Sequence, residues 1–207
     1  MTAPEESVVA HVVDDDEALR QSLAFLLESV GIQAFTYPTA TAFLEEYDPE
    51  EVAIVIVDVR MPVMSGLQLQ EELQARKYPA PVIFCSAHGD IPMSVRAMRG
   101  GAVDFFEKPY EPQRMIEVVQ VQLVRAQRVF AERAQVREIL VRLDSLTSRE
   151  REVLRLVVDG QPSQVIATQL GASVKTIDVH RARIKAKTEA ESLATLVRDI
   201  LRHGVDL

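Results

Sequence analysis

The first half of the chain alternates short apolar runs with helical patterns, and this alternation limits the folds it can adopt. Five apolar runs, each four to six residues long and rich in Val, Ile and Phe, begin at residue 8 and end at residue 106. They are Val8–Val13, Ile32–Phe35, Val52–Val57, Pro81–Phe84 and Ala102–Phe106. Continuous runs of this length are typical of strands buried on both faces of a parallel sheet.

Amphipathic helical patterns lie between these runs, at Glu17–Val30, Thr39–Tyr47, Gly66–Lys77 and Ile91–Arg99. In the first, apolar residues recur every three or four positions and form one stripe. Asp16 is placed to cap that helix, and Gly31 is placed to end it in a left-handed conformation. Strands interleaved with helices predict an α/β domain with a doubly wound, five-stranded parallel sheet.

The second half is helical throughout. A stretch without Gly from Glu111 to Leu143 predicts a long helix, which serves either as a linker or as one strand of a short coiled coil. Four shorter helices follow, with starts near Thr147 or Ser148 and at Ser163, Val174 and Leu193. A short helix, a Gly-containing turn and a longer basic helix form a helix-turn-helix, so an all-α four-helix domain is expected here.

Charge also divides the chain of 207 residues, whose net charge is -8. Residues 1–110 carry 7 Lys and Arg against 18 Asp and Glu, whereas residues 147–207 carry 10 against 8. An acidic front half and a mildly basic rear half favour two modules over one. Cys85 is the single cysteine, which excludes a disulfide framework and a cysteine-rich zinc site.

Nothing in the sequence indicates membrane insertion. The longest uncharged apolar run, Val52–Val57, is far shorter than the roughly 20 residues that span a bilayer. The segment MTAPEESVV has neither a basic region nor an apolar core, so no secretory leader is expected. We therefore expect a soluble, cytoplasmic protein that has no membrane partner.

Polar residues follow four of the five apolar runs, at the points where those predicted strands end. They are Asp14 and Asp15, Asp58, Ser86 and Lys108. Because ligands bind outside the carboxyl ends of strands in such sheets, these side chains are expected to converge. Clustered carboxylates favour a bound Mg²⁺, and a lysine and a hydroxyl beside them suit a phosphoryl group. One carboxylate is then a candidate nucleophile that forms an aspartyl phosphate.

Each of these elements has a plainer interpretation when it is taken alone. An acidic triplet before a helix compensates the helix dipole, and Lys-Pro after a strand is an ordinary turn. Cys85 is expected to be a buried small hydrophobe, and His88 a loop residue and not a catalyst. The functional interpretation depends on the order of the elements and on their common place at strand ends.

The segments VVDDDEALR, IVDVRMPVMSG, VIFCSAHGD and DFFEKPY resemble the receiver domain of two-component response regulators. The resemblance covers residues 7–125 and implies that Asp58 is the phosphoacceptor, with Asp14 and Asp15 as its acidic partners. It further implies that Asp15, Asp58 and the backbone carbonyl of Arg60 hold Mg²⁺. The remaining implied roles are the switch residues Ser86 and Phe105 and the phosphoryl-binding residues Ala87 and Lys108. Residues 126–143 would form a helical linker.

Residues 147–203 resemble a LuxR-type helix-turn-helix domain through LTSREREVL and IATQLGASVKTIDVHRARIKAK, and the domain is expected to span residues 144–207. The combination is that of the FixJ-like subgroup. Asp178 is suited to accept a hydrogen bond from cytosine N4, and Val179 to contact a thymine methyl group. Basic and hydroxyl side chains nearby are suited to phosphates. The full set expected to contact DNA is Ser173, Lys175, Thr176, Asp178, Val179, Arg181, Ala182 and Lys185.

The sequence thus predicts a transcription regulator that a sensor histidine kinase phosphorylates on Asp58. Phosphorylation would favour a homodimer whose two recognition helices bind promoter DNA one turn apart, as an activator that works with RNA polymerase. Two alternatives stay open. A magnesium-dependent phosphatase would need a general acid two residues after the nucleophile, where Arg60 stands, so no enzyme is expected. A constitutive DNA-binding protein would not need the complete acidic, hydroxyl and lysine set.

Overall fold

The structure, a computed structural model, describes residues 8–87 and 91–207, so the predicted loop residue His88 lies outside the described residues. The described chain divides into two compact units, and the boundary between them in the sequence lies between Ala131 and Glu132. The first contains a five-stranded parallel sheet, and the second contains only helices. Both features agree with the fold class predicted from the sequence.

The sheet has the strand order β2-β1-β3-β4-β5, and every pairing in it is parallel. Its strands are β1 (Val9–Val13), β2 (Ala34–Tyr37), β3 (Ala53–Asp58), β4 (Val82–Ser86) and β5 (Asp104–Glu107). All residues of β1, β3 and β4 are buried, as the continuous apolar runs predicted. The strand order reverses at β1 and β3, where an open α/β sheet leaves a crevice for a ligand.

The sheet is covered by α1 (Glu17–Glu28), α2 (Ala40–Glu46), α3 (Gly66–Ala75) and α4 (Ile91–Arg99). The predicted cap of α1 is confirmed, because the Asp16 side chain accepts a hydrogen bond from the Leu19 N–H. Gly31 has φ of 82°, the left-handed conformation that follows the helix end and favours glycine.

Strands β2 and β5 start two residues later than the apolar runs predicted. The Ile32 N–H donates to the Leu27 carbonyl, and the Ala102 N–H donates to the Ala97 carbonyl. These residues therefore close the C-terminal turns of α1 and α4 and bury their side chains beside those helices. Hydrophobicity alone cannot separate this use of an apolar residue from the first residue of a strand.

A long helix, α5 (Pro112–Asp144), begins in the first unit and ends in the second. It is followed by α6 (Ser148–Val158), α7 (Ser163–Gln169), α8 (Val174–Lys187) and α9 (Leu193–His203). Thr147 caps α6 in a reciprocal capping box with Glu150, and Ser173 caps α8. Ile177 and Ile184, seven positions apart on α8, are fully buried in the core of this unit.

Within the described residues, no helix has both the length and the apolar character needed to cross a membrane.

Candidate functional site

Lys108 lies between two carboxylates at the carboxyl end of the sheet. Its Nζ is 2.6 Å from Asp14 Oδ2 and 2.6 Å from Asp58 Oδ1. The three side chains are no more than 9% exposed, so this charged cluster is nearly removed from water. The predicted convergence of β1, β3 and β5 at one edge of the sheet is therefore observed in these three residues.

Backbone groups hold the two carboxylates in place. The Arg60 N–H donates to Asp58 Oδ2 at 2.6 Å, and the Asp16 N–H donates to Asp14 Oδ1 at 3.0 Å. Each carboxylate thus has one oxygen bound to Lys108 and the other bound to the loop that follows its own strand. This division fixes the orientation of both groups, because hydrogen bonds to charged groups are the stronger ones.

Two residues that the sequence analysis did not assign to the site support this edge. The Arg20 guanidinium of α1 donates to the Asp14 carbonyl at 2.6 Å. Gly66, the first residue of α3, packs so closely that a Cβ there would overlap the Asp58 carbonyl oxygen. The burial of Arg20 could have been predicted from the sequence, since it lies beside the buried stripe of α1. The close approach of Gly66 to the Asp58 carbonyl has no sequence pattern of its own.

Burial and pairing shift the pKa values in this cluster in opposite ways. Desolvation raises the pKa of Asp58, although the hydrogen bond from Lys108 and its positive charge work against that rise. Burial lowers the pKa of Lys108, but the hydrogen bonds to Asp14 and Asp58 outweigh it and raise the value overall. Lys108 is therefore a fixed positive charge, and Asp58 is a carboxylate whose ionisation is unusually costly.

The other residues predicted for this site differ in their exposure. Asp15, Arg60 and Ala87 are exposed, whereas Ser86 is buried and its carbonyl accepts from the Lys108 N–H at 2.8 Å. The half-buried Phe105 ring stacks on Phe84 with the ring centroids 6.4 Å apart.

Cys85, which precedes Ser86, is buried, and burial raises its thiol pKa to about 12. A thiol with this pKa stays protonated at neutral pH, so Cys85 is a packing residue, as the sequence predicted.

The donor chemistry of this edge suits a hard divalent cation. The carboxylates of Asp15 and Asp58 and the backbone carbonyl of Arg60, which the resemblance implies as ligands, are of the types that Mg²⁺ takes together with water. Within residues 8–87 and 91–207, no three His, Cys, Asp or Glu side chains are grouped closely enough to hold a metal by themselves. A cation here would therefore depend on the backbone oxygen and on water, which Mg²⁺ commonly retains.

The second unit presents the outer face of α8. Lys175, Asp178, Val179, Ala182 and Lys185 are exposed on that face. At its N-terminal end, Ser173 accepts from the Thr176 N–H at 3.1 Å, and their hydroxyls are 2.8 Å apart. Arg181 is half-buried. The structure thus leaves most of the side chains predicted to contact DNA accessible to a ligand.

Two interactions fix the position of α8 within this unit. Lys187 Nζ donates to the buried Glu150 at 2.7 Å, which joins the end of α8 to the start of α6. The hydrogen bonds from Lys187 and Thr147 overcome the desolvation cost and lower the pKa of Glu150 to about 2. Ser163 Oγ donates to Asp178 Oδ1 at 2.9 Å, which joins the start of α7 to the face of α8. Neither Glu150 nor Ser163 was predicted from the sequence as a partner of α8.

Two family models match the two units. Residues 10–120 match the response regulator receiver domain. Residues 144–199 match the bacterial regulatory proteins of the luxR family. Together they define the class of this protein, a response regulator whose receiver is joined to a LuxR-type DNA-binding domain.

Relatives that align over nearly the full length of the chain narrow this class of response regulators to a subgroup. The chain is 42% identical to the transcriptional regulatory protein FixJ of Azorhizobium caulinodans, over 97% of this chain and 95% of the relative. It is 41% identical to FixJ of Rhizobium meliloti, over 94% of this chain and 95% of the relative. Among solved structures, the response regulator StyR aligns with a TM-score of 0.73 at 40% identity, covering 95% of this chain and 99% of that one. Full-length FixJ from B. japonicum aligns with a TM-score of 0.55 at 36% identity, covering 98% and 99%.

The chain therefore belongs to the FixJ-like response regulators, which are transcriptional regulators of two-component systems. The family resemblance, the fold class and the general function predicted from the sequence are confirmed by these comparisons.

Proposed function

We propose that this regulator is switched by phosphorylation of Asp58 by a sensor histidine kinase, and that the phosphorylated form dimerises and binds promoter DNA. The observation that carries the proposal is the buried cluster in which Lys108 contacts both Asp14 and Asp58 at 2.6 Å. A fixed cation beside a carboxylate at the switch point of an α/β sheet is suited to receive a dianionic phosphoryl group.

The transfer itself needs positioning more than proton transfer. One carboxylate oxygen of Asp58 forms a bond to phosphorus as the P–N bond to the kinase histidine breaks, and the bonding pair leaves with the histidine nitrogen. Lys108 would neutralise charge on the phosphoryl oxygens. The Arg60 N–H, which already donates to Asp58 Oδ2, would hold the carboxylate in one orientation for in-line attack.

Asp15, Asp58 and the Arg60 carbonyl would hold Mg²⁺, and Asp14 would complete the acidic pocket. When it is bound, the cation supplies charge neutralisation for the phosphoryl oxygens. The exposed position of Asp15 supports this assignment, because a carboxylate that faces solvent can bind a hydrated ion without first losing a buried partner.

In the phosphorylated state, Ser86 would donate its hydroxyl to a phosphoryl oxygen, and Phe105 would turn inward. Ala87 would contact the phosphoryl group through its backbone and leave space for it. The half-buried position of the Phe105 ring on Phe84 supports such a switch, because a turn of this ring would change its exposure.

We assign residues 7–125 to the receiver, 126–143 to a helical linker and 144–207 to the DNA-binding domain. Dimerisation would place two copies of α8 in successive major grooves. Asp178 and Val179 would contact bases. The residues that would contact or approach the DNA backbone are Ser173, Lys175, Thr176, Arg181, Ala182 and Lys185. By analogy with the regulators it resembles, the dimer would act as a cytoplasmic activator that recruits RNA polymerase.

We further propose that the chain is not an enzyme. A phosphatase that uses Asp58 as its nucleophile would need an acid to protonate the leaving group two residues later. That position is occupied by Arg60, which is not a carboxylic acid.

Intact mass spectrometry after incubation with Mg²⁺ and acetyl phosphate tests the assignment. We expect one phosphoryl adduct on the wild-type chain and none on D58N. An adduct on D58N, or steady release of phosphate from small esters by the wild type, would contradict it.

A further inference from the structure

Asp178 is an unexpected residue on a surface that binds DNA. It is exposed on the outer face of α8 between cationic neighbours, and its negative charge is repelled by phosphates. An acidic side chain on such a face weakens binding to DNA in general and improves it only where a base presents a donor. The use of Asp178 therefore depends on how firmly its carboxylate is oriented.

The structure provides a partner that orients it. Ser163 Oγ donates to Asp178 Oδ1 at 2.9 Å, across 15 positions of sequence and between two helices. Ser163 is the first residue of α7, and the preceding Pro162 makes no side-chain cap there. The short Ser163 side chain is half-buried and has few rotamers, so it holds the acceptor oxygen at a defined position.

We infer that Ser163 is a positioning residue for base recognition, which fixes the Asp178 carboxylate so that Oδ2 alone is directed to a base donor. This inference rests on the proposed function, in which α8 contacts base edges. The group recognised is an exocyclic amine in the major groove, and cytosine N4 is the donor that an aspartate pairs with most readily. Bases that present only acceptors at that place are rejected by the fixed negative charge.

Two consequences distinguish this role from that of a hydrogen bond that only holds α7 and α8 together. Loss of the Ser163 hydroxyl leaves the Asp178 carboxylate free to rotate, so preference at one base pair of each half-site falls. Affinity for DNA of unrelated sequence changes little, because the cationic side chains on the outer face of α8 are untouched. If the hydrogen bond had only a structural role, its loss would instead weaken binding to all DNA sequences alike.

The experiment selects duplexes from a random-sequence library with the full-length chain treated with acetyl phosphate and Mg²⁺, and sequences the bound fraction. Wild type, S163A, S163T and D178A are compared, and T168A serves as the control because its hydroxyl bonds within α7, to the Gln164 carbonyl. Far-UV circular dichroism establishes that each variant is folded.

We expect D178A to lose a cytosine preference at one position of each half-site and S163A to lower the same preference by about threefold to tenfold. S163T, which keeps the hydroxyl, and T168A should match the wild type. A wild-type profile in S163A beside an altered D178A profile, or a uniform loss of affinity in S163A, would overturn the inference while leaving the proposed function intact. Failure of the wild type to enrich any sequence would instead overturn the proposed function and this inference with it.

Discussion

Replacement of Lys108 by methionine tests the electrostatics of the receiver site without removing a carboxylate. Methionine keeps the unbranched apolar stem but not the ammonium group. Asp14 and Asp58, each no more than 9% exposed, then face one another without the cation that separates them. We expect the first unit to be strongly destabilised, because uncompensated buried charges are costly.

The magnitude follows from the geometry. Each contact is 2.6 Å long, which corresponds to about 6 kcal/mol of Coulomb attraction at an effective dielectric constant of about 20. Desolvation of the three groups offsets much of this attraction in the wild type. Removing one partner of a buried ion pair typically costs about 3–5 kcal/mol, and we expect K108M to lower the free energy of unfolding by that amount at neutral pH.

The composition of the chain supplies a selective assay. All 4 Tyr and 7 Phe lie before residue 131, and the chain has no Trp. Near-UV circular dichroism and tyrosine fluorescence therefore report unfolding of the first unit alone. Urea titrations in a buffer that contains a chelator would compare the wild type with K108M and with the control K77M, which removes an exposed lysine and should change stability by less than about 0.5 kcal/mol.

A second variant tests the cause of the loss of stability in K108M. In the K108M background, D58N removes one of the two opposed carboxylates, so it should recover at least about 1 kcal/mol. Equal stability of K108M and wild type, or no recovery in the double variant, would refute the view that Lys108 compensates the two carboxylates.

Three further outcomes follow from the titratable groups Asp58, His11 and Glu150. D58N alone should raise the urea midpoint at neutral pH, because the raised pKa of Asp58 means that its ionisation costs stability as pH rises through the folded value. Burial lowers the pKa of His11 to about 4, so protonation of His11 should remove roughly 3 kcal/mol of stability as pH falls from about 6.5 to about 4, and the difference in stability between wild type and H11Q in urea titrations should change by that amount. E150Q should lower the stability of the second unit by about 1–3 kcal/mol in far-UV titrations without moving the tyrosine transition, since it weakens the bond to Lys187.

Much of the receiver site could be predicted because its residues are defined by strand ends. Parallel strands bring their carboxyl ends to one edge, so Asp14, Asp58 and Lys108 could be placed together from the positions of three apolar runs. The helix cap at Asp16 was equally local, since a cap depends on residues three positions apart.

The parts that could not be predicted depend on contacts between distant segments. Ser163 and Asp178 meet because α7 packs against α8, and no periodicity in the sequence specifies that pair. Ile32 and Ala102 were assigned to strands because an apolar residue that closes a helix has the same hydropathy as one that begins a strand.

The central claim is that a phosphoryl group on Asp58 controls DNA binding, and one titration tests it most directly. The dissociation constant of the full-length chain for the duplex that it selects would be measured before and after treatment with acetyl phosphate and Mg²⁺, with D58N in parallel. We predict that treatment tightens binding of the wild type by about tenfold or more and leaves D58N unchanged. Equal affinity of treated and untreated wild type, with the adduct present by mass, would contradict the account.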